Sequence, residues 1–146
     1  MRRRLSVLES ADPRRGHAME TPPKSPYSAE ELEHFRRIIL EKMRQVQADI
    51  QYLEEQIRDN LENRNGEGRL ASSPDEVTHN PDSELEQAYL LHDREVKFLR
   101  YLERALLRIQ EGTYGVCRQC GRPIPKERLE IVPHTTICID CKRKQG

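Results

Sequence analysis

Ile109-Gln110-Glu111-Gly112-Thr113-Tyr114-Gly115-Val116-Cys117-Arg118-Gln119-Cys120-Gly121 joins two kinds of sequence. Before it, apolar residues recur by threes and fours; within it that period stops and cysteines begin. Gly112 follows the last periodic residues, where a left-handed glycine ends a helix. Cys117 and Cys120 make one C-x-x-C pair, and Cys138-Ile139-Asp140-Cys141 makes a second after seventeen intervening residues. Each pair lets one tight turn aim two thiolates at a common point, and two pairs at this separation complete a tetrahedron. The spacing predicts one closed, structural zinc ion held by Cys117, Cys120, Cys138 and Cys141. A thioredoxin-like redox pair, a disulfide pair and an iron–sulfur cluster compete with this reading, but no βαβ pattern surrounds the cysteines. His134 and His79 lie outside the knuckles and are expected to be bystanders. Gly121 is expected in the left-handed region, turning backbone amides toward the sulfurs. Ile124, Leu129, Ile131, Val132, Ile137 and Ile139 are too few for an independent core, so zinc should supply much of this segment's folding free energy, and its loss should unfold the finger while the helices remain.

Working back from Gly112, Leu85, Ala88, His92, Glu95, Leu99, Leu102, Leu106 and Ile109 keep a heptad spacing, cleaner toward the C-terminal end, with Leu91, Val96 and Phe98 widening the apolar face. This helix is expected to start at Asp82 or Ser83, with Ser83 and Glu86 as a capping box, and to run to Glu111. Further back, Leu32, Phe35, Ile39, Met43, Val46, Ile50, Leu53, Ile57 and Leu61 mark one stripe of another helix, opened by a capping box at Ser28 and Glu31. At 1.5 Å per residue the two helices span roughly 54 Å and roughly 43 Å. Between them Gly66, Gly68, Ser72, Ser73, Pro74 and Pro81 break both periods, and Asp75, Glu76 and Asp82 make the connection acidic. The fold class that follows is all-α: an antiparallel two-helix coiled-coil hairpin over residues 28–112, with a tip loop at 64–82, then a small four-cysteine zinc finger at 113–146. Residues 1–27 have no sustained hydrophobic period and several helix breakers, and read as a disordered basic arm.

Composition agrees with narrow seams and no layered core: of 146 residues 35% are hydrophobic and 34% charged, with no tryptophan. Formal net charge is zero but segregated. Residues 1–27 carry six basic and three acidic side chains, residues 113–146 seven and three, and the middle is acidic. Four cysteines confined to two knuckles, with no bilayer-length apolar run, point to a reducing, cytoplasmic setting and no membrane. No catalytic constellation is present, so the chain does not read as an enzyme.

Tyr114-Gly115-Val116-Cys117-Arg118-Gln119-Cys120-Gly121, Arg128-Leu129-Glu130, Pro133 and Cys138-Ile139-Asp140-Cys141-Lys142 strongly resemble the zinc finger of DksA/TraR-family bacterial transcription regulators. Asp93-Arg94-Glu95 also resembles that family's second coiled-coil helix. The resemblance implies a hairpin that enters the secondary channel of bacterial RNA polymerase, an acidic tip near the active site, allosteric action on initiation in stress responses, and no sequence-specific DNA binding. Where the family carries Asp-x-x-Asp-x-Ala at the tip, this chain reads Asp75-Glu76-Val77-Thr78-His79-Asn80, which keeps the first aspartate alone. Family members that work with guanosine tetraphosphate use basic residues on the second helix and around the finger, and Arg94 and Lys142 are available for that contact. Two other readings remain open: a zinc-ribbon nucleic-acid binder resting on the finger's basic surplus, and an interaction module that occupies the channel without regulating.

Overall fold

The computed structural model describes residues 24–65 and 81–145. Two long helices dominate, α1 at Ala29–Asn65 and α2 at Pro81–Glu111, followed by two short ones, α3 at Lys126–Ile131 and α4 at Ile139–Gln145. There is no strand among the described residues; one antiparallel bridge joins Val116 to Pro123.

The first helix starts where its chemistry requires. Ser28 Oγ accepts from the Glu31 amide at 3.1 Å, and the Glu31 carboxylate accepts from the Ser28 amide at 3.3 Å, so two amides without helical partners satisfy each other's side chains. The second helix starts earlier than its sequence implied. Pro81 takes the first helical position, where its preset φ fits and its missing N–H is no loss, so Ser83 lies inside the first turn and Glu86 in the second, and the pair does not stand at the helix start. At the other end Gly112 adopts φ +78°. The Thr113 amide donates to Arg108 O at 2.9 Å and the Gly112 amide to Ile109 O at 3.2 Å, the paired bonds of a Schellman stop.

The helices pack antiparallel in constant register. Arg64 meets Asp82, and Glu54 lies 3.1 Å from His92, so ten residues back along α1 match ten forward along α2. At 37 and 31 residues they are about 56 and about 47 Å long. Burial along the seam is uneven. Phe35, Ile39 and Val46 on α1 and Leu102 on α2 are buried, while Ile50, Leu53 and Ile57 are only half-buried and Leu61 is exposed. Two helices cover only a narrow stripe, so Leu91, expected to widen the apolar face, is exposed beside Leu90. Ala105, outside the heptad positions, is fully buried.

The reason lies at the base of the hairpin. Phe35, Ile39, Val46, Leu102 and Ala105 form one continuous cluster with Tyr114, Cys117, Ile124, Leu129, Cys138 and Cys141. Finger and hairpin therefore share a core, whereas the sequence reading placed them in separate segments. Ile131 and Ile139, expected in the finger's own apolar set, are exposed. The boundary of the expected arm also shifts. Up to Pro23 the arm lies outside the described residues, but Ser25 and Tyr27 are part of the fold: the Ser25 amide donates to Gly112 O at 2.7 Å, and the Tyr27 hydroxyl to Ile124 O.

Candidate metal centre and the basic groove beside it

Gly115, at φ +88°, turns the chain out of the helix junction, and Ile124 N donates back to Gly115 O at 2.7 Å. Between them the first knuckle closes: Cys117 N donates to Arg122 O at 2.8 Å and Gly121 N to Cys117 O at 2.9 Å. Gly121 is left-handed as expected, at φ +74°, but its amide serves the Cys117 carbonyl and not a sulfur. The second knuckle opens α4, with Lys142 N donating to Cys138 O at 3.0 Å. Arg118 N donates to Thr136 O at 2.8 Å and ties the two knuckles together.

These turns bring all four cysteine sulfurs within 4.8 Å of one another. Cys117 and Cys141 are 3.7 Å apart, as are Cys120 and Cys138. A disulfide needs about 2.05 Å, so neither pair is bonded. A tetrahedron with zinc–sulfur bonds of about 2.3 Å has edges of about 3.8 Å, which these separations match. Protons are held unequally across the set. Burial pushes the Cys117 thiol up, but backbone amides of Cys120, Cys138 and Gln119 outweigh it and hold Cys117 down at about 6. Cys141, hydrogen-bonded to the Cys138 sulfur and buried, is pushed up to about 12. A divalent cation replaces such shared protons, and three of the four sulfurs belong to buried residues, Cys120 being the exposed one. The donor set and its edges fit zinc, and they leave no open position for chemistry.

Around this centre, arginines act as brackets. Arg128 Nε donates to Ile137 O at 3.1 Å, fixing α3 against the second knuckle, and Arg108 donates to His134 O at 3.3 Å, fixing that loop to α2. Tyr114 is buried and donates to Pro133 O at 2.8 Å; burial raises its pKa well above the ordinary phenol range. His134, expected to be a bystander, lies outside the four-sulfur cluster and has a structural place. Its ring meets Phe98 edge-on at 4.9 Å and stacks on Tyr101 at 6.0 Å.

Arg104, Arg108, Arg118, Arg128 and Lys142 converge on a groove of about 690 Å³ between α2 and the finger. Among the described residues no carboxylate lines it. Arg104 and Arg108 were not singled out from the sequence; their i, i+4 spacing was the available signal. Arg94 and Lys142, paired in the sequence reading, are not brought into one site: Arg94 lines a neighbouring cleft with Lys42, Asp49 and Lys97. Asp75 and His79 lie outside the described residues.

Residues 112–145 match the profile of the prokaryotic dksA/traR C4-type zinc finger. Beyond the finger, the chain is 29% identical over 124 residues to the RNA polymerase-binding transcription factor DksA of Escherichia coli strain K12, covering 84% of this chain and 76% of that one. The finger is of the dksA/traR type, and the chain resembles DksA proteins over most of its length. The DksA of Haemophilus influenzae is 36% identical over 81 residues, half of this chain and 56% of the relative. Among solved structures, transcription factor DksA2 from Pseudomonas aeruginosa superposes with a TM-score of 0.65 at 28% identity, covering 80% of this chain and 83% of that one. The DksA/TraR resemblance thus extends past the finger into the helices, where the sequence reading had periodicity alone for α1.

Proposed function

We propose that this protein is a non-enzymatic, cytoplasmic transcription regulator that binds bacterial RNA polymerase, with one zinc ion held by Cys117, Cys120, Cys138 and Cys141. In this reading the hairpin enters the polymerase secondary channel from a finger that stays outside, and acts allosterically on initiation. The observation that carries the proposal is a stiff hairpin of about 47 to 56 Å rooted in a four-sulfur finger, in a chain similar over most of its length to RNA polymerase-binding DksA proteins. No helix among the described residues is long and apolar enough to cross a membrane.

The test is binding to bacterial RNA polymerase core at micromolar concentration, competition with another secondary-channel factor, and open-complex lifetime at a stable-RNA promoter. Binding with competition and an altered lifetime supports the reading; absence of binding, or binding without competition, removes it. Asp75, the tip residue that keeps the family pattern, should act on output more than affinity, because a tip carboxylate changes initiation only by favouring one polymerase state over another. Asp75→Asn should leave binding nearly intact and weaken the lifetime effect. Equal effects of wild type and Asp75→Asn at matched occupancy would leave the module that occupies the channel without regulating.

The basic groove favours a second element of this proposal. Five cations without a lining carboxylate form a site for a polyvalent anion. Guanosine tetraphosphate fits that chemistry, with Lys142 as a direct contact and Arg94 beside the site and not within it. The nucleic-acid reading draws on the same cations, and steeply salt-dependent duplex affinity would favour it.

A further inference from the structure

The chain that enters α1 crosses the joint between hairpin and finger, and it is bound on both sides. On one side the Ser25 amide donates to Gly112 O at 2.7 Å, capping the turn that ends α2. On the other, the Tyr27 hydroxyl donates to the carbonyl of Ile124, a fully buried residue of the finger. Between these bonds the Tyr27 ring lies edge-on to Phe35 at 5.6 Å, and Phe35 in turn packs against Tyr114 at 5.6 Å. Three rings thus link the entering segment, α1 and the finger. Lys126 of α3 sits over the outer face of the Tyr27 ring at 5.9 Å and reaches Glu31 in the first turn of α1 at 2.8 Å.

Gly115 shows how closely the segment is fitted. A Cβ there would stand 2.5 Å from Tyr27 Cε2 and 2.7 Å from Cδ2. Real Cβ atoms do not approach carbon so closely, so the finger backbone passes the tyrosine face at a distance open only to glycine. The same glycine holds φ +88°, which any other residue would enter with strain. Gly112 and Gly121 are also left-handed, yet nothing lies within 4 Å of a Cβ built on either. Of these three glycines, Gly115 alone is closely approached, and it is Tyr27 that approaches it.

We propose that residues 24–27 are a strap that locks the finger onto the base of the hairpin, with Tyr27 as its buckle, so that the finger's set against α2 depends on the segment ahead of the first helix. The groove makes this consequential. Arg104 and Arg108 stand on α2 and Arg118, Arg128 and Lys142 on the finger, so the strap fixes the two halves of the cationic groove relative to each other. Undocking it frees the finger to swing and spreads those charges. Zinc and strap are separate fastenings: zinc closes the knuckles on themselves, and the strap joins the closed finger to the helices.

The test uses full-length, zinc-loaded chain and compares wild type with Tyr27→Ala, Tyr27→Phe and Gly115→Ala. Zinc transfer to a chromogenic chelator and amide exchange at Gly112–Val116 and Ile124 are followed, with the far-ultraviolet helical signal as a check that the hairpin persists. Tyr27→Phe removes one hydrogen bond and keeps the ring, so exchange should rise about threefold to tenfold. Tyr27→Ala removes the ring as well and should raise exchange on the order of a hundredfold and speed zinc transfer. Gly115→Ala should behave like Tyr27→Ala although it leaves the tyrosine in place, and the additional change Tyr27→Ala should relieve part of its clash. Wild-type exchange and zinc transfer in Tyr27→Ala would overturn the strap. If wild type takes up no zinc, the metal assignment falls and amide exchange alone decides the strap. Polymerase binding enters none of these measurements, so the strap and the polymerase reading fail separately.

Discussion

His134 shows what one residue does when its surroundings are set by two elements. It sits in the loop before the second knuckle, yet its ring is wedged against Phe98 and Tyr101 of α2, and its Nδ1 is buried without a hydrogen-bond partner among the described residues. Burial lowers its pKa, and the charges of Arg108 and Lys42 lower it further. A histidine whose folded pKa lies below its unfolded value binds fewer protons when folded. Its contribution to stability is therefore present above the unfolded pKa near 6.5, and is lost as pH falls from there toward the depressed folded value. Stability of the finger against α2 should decline on acidification through that window, and His134→Gln should flatten the decline. Cysteine protonation also weakens a zinc site in acid, so the relevant measurement is the difference in unfolding free energy between wild type and His134→Gln from pH 7.5 to 5.5. A difference that does not change with pH would contradict this account.

At the scale of the element, the start of α1 rests on the reciprocal pair Ser28 and Glu31. Glu31 has two partners, the Ser28 amide and the Lys126 ammonium of α3. That ammonium lowers the Glu31 carboxyl pKa, but the pair is exposed to solvent and contributes little by itself. The cap is the larger effect. Ser28→Ala should destabilise the protein by about 1 kcal/mol, seen as a lower urea midpoint at unchanged slope, because it leaves the Glu31 amide without a partner. Ser83→Ala should cost much less, about 0.5 kcal/mol or under, since Pro81 moves the helix start ahead of it and Ser83 has no cap to lose. Equal costs would mean that α2 begins where its capping-box sequence placed it.

For the molecule as a whole, the shared cluster decides how metal and helices are coupled. Cys117, Cys138 and Cys141 belong to the same buried set as Phe35, Ile39, Leu102 and Ala105. Chelation of zinc should therefore loosen more than the finger. Amide exchange should accelerate through Phe35–Val46 and Leu102–Ile109, while Leu53–Leu61 and Leu85–Leu91 should change little because they lie outside the cluster shared with the finger. Exchange confined to residues 112–145 would restore the separate segments that the sequence implied. The uneven seam has the same origin. At the base the finger completes the cover over Phe35, Ile39, Leu102 and Ala105, whereas beyond Ile50 the two helices bury Leu85 and Ala88 but leave Ile57 half-buried and Leu61 exposed.

Local pattern sufficed for the elements and for the grouping of the four cysteines. Two stripes of threes and fours fixed the long helices, Ser28 and Glu31 fixed the start of one and Gly112 the end of the other, and two C-x-x-C pairs marked four sulfurs for one point. These are local signals, carried by residues a few positions apart, so periodicity, capping and spacing suffice to read them. Tertiary structure alone decided that Tyr27 is a fastening and not part of a tail, that His134 is a wedge, that Ala105 is core while Ile131 is not, and that Arg104 and Arg108 face Arg118, Arg128 and Lys142. Each of those facts depends on residues up to 97 positions apart meeting at the joint between finger and hairpin. The angle of that joint follows from how the buried surfaces of the two parts fit together, a property that no pattern within either part encodes.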